Sequence, residues 1–437
     1  MRSKVVGVFC IAILGVILFS FLGFYGCAQE RESHSKVTIT VWHWMTDRQA
    51  AFEELAARYE KAAGIRVKFE LFTPSDAYSQ KIIASAQGKT LPDIFGILGK
   101  KRDAASFIKA GYALDLTKYM DENMGAWRNQ LFDKALNMGR FTEGNLFGVV
   151  PGIYAVPIDL MNVQMIYNRK IFKEAGLDPN YPPVTFTGFI EQLKKLKEKN
   201  FSGFVSGFAE AWLIDSFAFS YAFNIMGEDK VMKTLKGEVP YTDPDWIKVF
   251  TLFQDLREAG GFASGVVSMD NKYAEQSFAN EKSAFVYNCS WCINVYKGMN
   301  PELDYAVMMP PKVVEKNPMV IWGSAGAAFY VNAASPNAQE AVRFLKWLTD
   351  DTQQVYLIET TLNLPANKNC LNKIPKILSQ FTDDLDKITH PNIWSYEESP
   401  KVTEVFARGI QSIIIGEKSP ETVAAEVQVA KQKELKK

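Results

Sequence analysis

Residue types that carry most metal and nucleophilic chemistry are scarce in this 437-residue chain. There are three histidines, His34, His43 and His390, and no two of them stand at a metal-ligand spacing, which argues against a histidine-based zinc hydrolase. No glycine-x-serine-x-glycine elbow occurs, because Ser324 follows Gly323 directly, the wrong offset for the nucleophile turn of a serine hydrolase. The run Gly96-Ile97-Leu98-Gly99-Lys100-Lys101 has neither the spacing nor the hydroxyl of a phosphate-cradling loop. Cysteine is sparse as well. Only Cys289, Cys292 and Cys370 follow Cys27, and an odd number forbids a complete disulfide framework. Cys289-Ser290-Trp291-Cys292 has the spacing of zinc and redox motifs, but it lacks a second pair and nearby histidines, so packing cysteines are expected. Net charge is also missing: 49 basic residues balance 49 acidic ones, which leaves no electrostatic footprint for nucleic acid. The acids are numerous enough to leave room for a carboxylate pair of the glycosidase type. Neither an internal repeat nor a low-complexity segment is present.

Aromatic residues are abundant, with 9 Trp, 17 Tyr and 30 Phe. Rings on a near-neutral surface point toward apolar or stacking recognition instead of ionic capture, although most will pack the core. A chain of this length is too long for one ordinary core, so two domains are expected.

Residues 1–27 read as a targeting segment. Arg2 and Lys4 precede an uncharged apolar run over residues 5–25, and Gly26-Cys27 closes it. The ending resembles the lipobox of bacterial lipoproteins, with Phe24 where leucine is usual and Tyr25 where a small residue is usual. That resemblance implies lipidation at Cys27. An uncleaved membrane anchor is the alternative, since the run is long enough to span. Both place the folded part outside the cytoplasmic membrane, and residues 28–36 form a polar tether.

Residues 37–98 read as strand, helix, strand, helix, strand. Val37, Ile39 and Val41 alternate with threonines and end in Trp42-His43-Trp44; Phe52, Leu55, Ala56 and Tyr59 recur at helical spacing; Ile65, Val67, Phe69 and Leu71 alternate again; and Leu91-Pro92-Asp93-Ile94-Phe95 opens a third strand. Strands interleaved with helices imply a mostly parallel sheet that binds ligands at the carboxyl ends of its strands, here near residues 42–45 and 93–98. A second alternating block runs over residues 156–309, with an extended piece at 156–168, an aromatic-rich helix at 211–226 and a buried strand at 284–287. From Asn337 the pattern is helical to the end.

Five segments in order resemble one family. They are Ala63-Gly64-Ile65-Arg66-Val67, Leu91-Pro92-Asp93-Ile94, Ile166-Tyr167-Asn168-Arg169-Lys170 running on to Gly176-Leu177, Phe278-Ala279-Asn280-Glu281-Lys282-Ser283-Ala284-Phe285 up to Trp291, and Val331-Asn332-Ala333-Ala334-Ser335-Pro336-Asn337. Asn280 and Phe285 replace the family's usual glycine and methionine. Together they are similar to the extracellular solute-binding proteins of sugar-binding family 1, the lipid-tethered receptors of ABC importers. The resemblance implies an α/β, two-lobed periplasmic-binding-protein fold of type II, with two discontinuous domains and three hinge crossings near residues 150–159, 275–283 and 325–332. Residues 37–150 with 284–325 would form the first lobe, and 151–283 with 326–437 the second.

It further implies a monomer without cofactor or catalysis that captures a mono- or oligosaccharide and delivers it to a membrane permease. Aromatic faces would stack on pyranose rings while polar groups satisfy the hydroxyls. By position, Trp291, Trp212 and Trp394 are the expected stacking residues. Of Trp42 and Trp44, one is expected to face inward and the other the cleft, and Trp44 is assigned to the cleft beside His43. Asp93, Tyr154, Asp159, Trp322 and Ser324 flank the strand ends or crossings. A surface-anchored glycan-active enzyme or adhesion protein is the alternative from another class. A relative that binds glycerol phosphate would want clustered arginines, and only Arg102 and Arg140 stand near the loop ends.

Overall fold

The computed structural model describes residues 37–98, 101–145, 147–383, 385, 389–390 and 398–436. Cys27, the leader and Trp394 lie outside the described residues. Fourteen strands are described: β1 (Thr38–His43), β2 (Arg66–Leu71), β3 (Ile94–Gly96), β4 (Arg140–Phe141), β5 (Gly152–Ile153), β6 (Val156–Pro157), β7 (Asp159–Asn168), β8 (Phe204–Val205), β9 (Phe285–Cys289), β10 (Tyr305–Met308), β11 (Ile321–Ala325), β12 (Ala328–Val331), β13 (Leu364–Pro365) and β14 (Thr389–His390). They form a five-stranded sheet in the order β2-β1-β3-β12-β6 and a larger sheet in the order β14-β11-β7-β9-β8, with β10 and β13 also paired to β7; β4 and β5 make a separate ribbon.

In the first sheet β1 runs parallel to β2 and β3, while β12 is antiparallel to β3 and β6. The alternation in β1 sends Ile39, Val41 and His43 into the core and leaves Trp42 half-buried on the opposite face. Phe52 stacks on Phe69 at 4.6 Å, and Phe344 from the helix Ala338–Leu348 closes the same cluster. Gly64, in the left-handed conformation at φ 73°, ends the helix Gln49–Ala63. The second sheet is organised by β7, whose ten residues are all buried. Its polar members are satisfied internally: the Asn162 side chain donates to the Phe381 carbonyl at 2.6 Å, and Gln164 donates to Asn162 at 2.9 Å. The long helix Ala211–Leu235 packs Phe217 and Tyr221 over this sheet.

The chain passes from the first sheet to the second through Ile158 alone, and returns through Gly326-Ala327. After the helix Asp351–Thr361 it passes again, where β13 pairs with the start of β7. The division expected from the sequence needs correction here. Residues 284–325 do not join the first lobe, because β9 pairs antiparallel with β7 and parallel with β8, inside the second sheet. A strand as apolar as Phe285-Val286-Tyr287 has to be covered on both faces, and the middle of that sheet covers it. Residues 275–283 therefore make no crossing. Conversely β12 and the helices Ala338–Leu348 and Asp351–Thr361 belong to the first lobe, where Phe329 and Val331 share a cluster with Ile39 and Phe52. Nor is the chain helical throughout from Asn337: β13, a 3-10 helix at Lys368–Lys373 and the short helix Lys376–Ser379 intervene before the helices Pro400–Ile415 and Pro420–Leu435. Among the described residues no helix is long and apolar enough to cross a membrane.

Candidate ligand cleft

A cleft of about 550 Å³ opens between the sheets. One wall begins where β1 stops. Trp44 and Met45 leave the strand, and a 3-10 turn, Thr46–Arg48, leads into the helix Gln49–Ala63. Ile97 and Leu98, just past β3, continue this wall. The ring of Trp44 lies against the backbone of Gly96, where a Cβ would fall 2.3 Å from its Cζ3, so a side chain there would displace the indole. Tyr78 braces it from below at a 5.2 Å centroid separation. The Tyr78 hydroxyl accepts the Gly96 N–H at 3.0 Å and lies 3.0 Å from the Trp42 carbonyl, tying the carboxyl ends of β1 and β3 together.

The opposite wall is aromatic. Trp212, at the head of its helix, meets Trp291 at 5.8 Å and Trp322 at 5.7 Å, tilted by 50° and 66°. Tilted contacts at these separations are favourable between indole quadrupoles, so the three rings form one continuous patch. Two carboxylates stand behind it. Glu210 accepts the Trp212 N–H at 2.6 Å, and Glu275 accepts the Trp291 N–H at 3.2 Å. Burial raises the Glu275 pKa, and the donors on its oxygen oppose that rise. Trp322 Nε1 has no partner among the described residues.

The floor is the crossing Ala325–Ala328, and beneath it lies a buried ion pair. Arg48 Nη2 sits 2.5 Å from Asp159 Oδ2 and donates to Asn363 Oδ1 at 3.0 Å, while Asp159 Oδ1 accepts the Ala327 N–H at 2.6 Å. Asp159 opens β7, Ala327 lies on the second passage and Asn363 on the third, so the Arg48–Asp159 pair joins all three, with Ala327 held by the carboxylate and Asn363 by the guanidinium. Gly326 is required here, since a Cβ would come within 2.9 Å of the Asp159 carboxylate. Burial opposes charge on both partners. Even so, the carboxylates of Asp159 and Asp47 hold the Arg48 pKa above its ordinary value, whereas for Asp159 burial outweighs Arg48 and the pKa rises.

Of the residues singled out in the sequence, Trp44, Trp212, Trp291 and Trp322 line the cleft together. The others among the described residues do not line it. His43 is fully buried beneath β1, edge-on to Phe52 and Phe69, because it continues the inward alternation of Ile39 and Val41. For the same reason Trp42 and Trp44 do not face opposite ways; two residues apart, they leave the strand on one side, and Trp42 packs on Phe72. Asp93 stands at the amino end of β3, where it accepts hydrogen bonds from the Thr40 N–H at 2.7 Å and the Ser335 hydroxyl at 2.5 Å, fastening strands instead of meeting the cleft. Tyr154 is buried against Phe141, with its hydroxyl donating to the Val150 carbonyl. Ser324 lies in β11 3.5 Å from the Lys134 carbonyl, outside the main cleft. Asp159 acts through Arg48. Trp394 cannot be placed. All three cysteines after Cys27 are buried and free, with Cys289 Sγ 3.1 Å from Met161 Sδ, and burial pushes the Cys289 and Cys292 thiols well up.

Arg48, Glu210 and Glu275 are absent from the sequence-based set. Arg48 follows Trp44 in the very loop that the strand-end rule selects, and Glu210 stands two residues before Trp212, so proximity was an available signal for both. Glu275 had none: it reaches Trp291 only through the packing of the helix Asn271–Ala279.

Two α/β lobes joined by three short passages, with a cleft at the strand ends between them, define a two-lobed solute-binding protein. The chain belongs to the bacterial extracellular solute-binding protein family, whose sequence profile matches residues 54–385. It is 22% identical to the multiple sugar-binding protein of Streptococcus mutans over 352 residues, which cover 78% of each chain. To the melibiose/raffinose/stachyose-binding protein MelE of Bacillus subtilis it is 24% identical, over 88% of this chain and 84% of that one. In three dimensions it is similar to the maltotriose-binding protein of Thermus thermophilus bound with maltotriose, at a TM-score of 0.69 and 21% identity, covering 91% of this chain and 100% of that one.

Proposed function

We propose that this protein captures a carbohydrate, an oligosaccharide of a few units, between its lobes and hands it unaltered to the permease of an ABC importer. The observation that carries this reading is the three-tryptophan wall facing Trp44 across a cleft of about 550 Å³. The C–H face of a pyranose stacks on such rings, while its hydroxyls need the polar groups of Thr46, Asp47 and the crossing backbone. Asp159 is engaged with Arg48, and Glu210 and Glu275 with indoles, which leaves Asp47, 3.5 Å from Arg48, as the one carboxylate among the described lining residues, without the second carboxylate that proton transfer of the glycosidase type needs. Arg48 is the one cation among the described lining residues and is already paired, which disfavours a phosphorylated ligand. In this reading Cys27 carries the lipid that tethers a monomeric receptor at the outer face of the membrane.

The test is a titration of purified residues 28–437 with mono- and oligosaccharides, read by tryptophan fluorescence and by melting temperature. Saturable quenching with a concentration-dependent rise in melting temperature is expected, because the ligand binds only the folded state. Release of shorter sugars would instead establish a glycan-active enzyme.

A further inference from the structure

We infer that Glu210 and Glu275 are positioning residues, which set the angle of the tryptophan wall through the indole N–H groups of Trp212 and Trp291. The inference rests on the reading that this wall stacks the ligand, and it adds what holds the rings and which part of them the ligand can meet. Neither glutamate lines the cleft. Glu210 Oε2 accepts the Trp212 N–H at 2.6 Å, and its other oxygen accepts the Asn271 backbone N–H, also at 2.6 Å. Asn271 then donates from its side chain to Glu275 Oε1 at 2.9 Å. The same oxygen accepts from Asn288 and from Trp291, each at 3.2 Å. One asparagine therefore links the two carboxylates, and the chain of bonds runs from one indole to the other across three segments: the head of the helix Ala211–Leu235, the start of the helix Asn271–Ala279 and the end of β9.

Glu275 is only 6% exposed. Burying a carboxylate is costly unless donors converge on it, and three do. An apolar residue would fill that space more cheaply, so the carboxylate is best explained by what it holds. Its hydrogen bonds are directional and charge-assisted, so turning either indole about its side-chain torsions breaks one. With both N–H edges spent on protein oxygens, Trp212 and Trp291 have no donor to offer the ligand. Their recognition is by π face, which selects for an apolar sugar face and not for a particular hydroxyl.

The experiment compares wild type with E275A, E275Q, E210A and W291F in the full-length protein. Two readouts are used: near-ultraviolet circular dichroism without ligand, and affinity for maltotriose and raffinose. Contacting indoles give a dichroic band sensitive to their mutual angle, so this readout does not depend on which sugar binds. E275A and E210A are expected to change the band and to weaken sugar binding about tenfold. E275Q keeps an acceptor oxygen for Trp291 and should restore most of both. In the W291F background, which keeps a ring but lacks the N–H, E275A should add much less loss than it does in wild type, the signature of residues acting through one bond. A merely structural role would lower the melting temperature of E275A and E275Q while leaving the band and the affinity of the folded protein unchanged, and that result overturns the inference. Should wild type bind neither sugar while the band responds as described, the carbohydrate reading is at fault and the positioning role stands.

Discussion

The first-lobe wall of the cleft presents one ring, Trp44, beside the polar turn Thr46–Arg48, whereas the second-lobe wall presents three rings, with Trp212 in contact with both Trp291 and Trp322. Their supports differ as well. Trp44 rests on Gly96 at the end of β3 and on Tyr78 of the helix Ser75–Gln87, and the turn after it feeds Arg48 into an ion pair that joins the passages between lobes. Trp212 and Trp291 are braced from behind by carboxylates within their own lobe, and Trp322 packs on Trp212. One wall thus carries the bonds that hold the lobes together, and the other carries most of the stacking surface. Damage to the first should appear mainly as lost stability, and damage to the second mainly as lost affinity.

The strongest blow to this contrast is R48M. It leaves Asp159 buried without its cation, and breaking a buried pair from one side costs about 3–5 kcal/mol. Urea denaturation at pH 7 should show that loss in R48M, and much less in R48M/D159L, where both charges give way to apolar groups of similar volume. A single variant as stable as wild type would mean that the passages are held by packing alone.

Acid should strike the same wall. His43 is neutral in the folded state: its Nε2–H donates to Gln49 Oε1 at 2.8 Å, and its Nδ1 accepts the Met45 N–H at 3.2 Å. A second proton would set two N–H groups against each other in a buried site. Burial accordingly lowers the His43 pKa from 6.5 to about 4. Between those values the unfolded chain binds the extra proton and the folded chain does not, so stability falls as pH drops through that window and is unaffected by this group above it. The full loss is roughly 2–3 kcal/mol by pH 4. Unfolding free energies of wild type and H43Q, measured from pH 7 to 4, should converge by about that amount. Parallel curves would place the acid sensitivity elsewhere.

How much of this could be read from the residues depends on whether the cause is local. The alternation of Ile39 and Val41 announces β1, and the rule that parallel sheets bind at their strand ends leads to Trp44. The same alternation, carried two residues further, puts His43 inward and both tryptophans on the other side, so their placement is legible in the residues alone. The place of residues 284–325 is different in kind. Nothing in Phe285-Val286-Tyr287 states that β7 is its partner, because pairing is decided by which strand reaches it in space. Arg48 looks like an ordinary charged residue near a helix start until Asp159 arrives from the first position of β7, in the other sheet. Asp93 shows the reverse: a carboxylate beside a strand suggests a ligand, yet Thr40, Ser335 and Asn337 consume it.

On the second wall, W291A should weaken sugar binding by about 1–3 kcal/mol, as measured by fluorescence titration through the remaining tryptophans. W44A, which removes the single ring of the first wall, should cost less affinity than W291A. Equal losses would show that the two walls clamp the sugar symmetrically, and an unchanged affinity in W291A with a lowered melting temperature would assign that ring to the core.

The smallest effect is expected from Lys81, and it tests whether the first wall stops at Trp44. Lys81 Nζ lies 4.2 Å from the ring centre of Trp42 and 4.5 Å from that of Phe72, so the cation caps two rings that lie outside the cleft lining. At a half-exposed site such a contact is worth about 0.5–1 kcal/mol. K81Q should therefore lower the unfolding free energy by no more than that and leave the affinity for any bound sugar within about twofold, since neither Trp42 nor Phe72 lines the cleft. A larger drop in affinity would extend the first wall along β1 to Trp42 and make its stacking surface two rings deep.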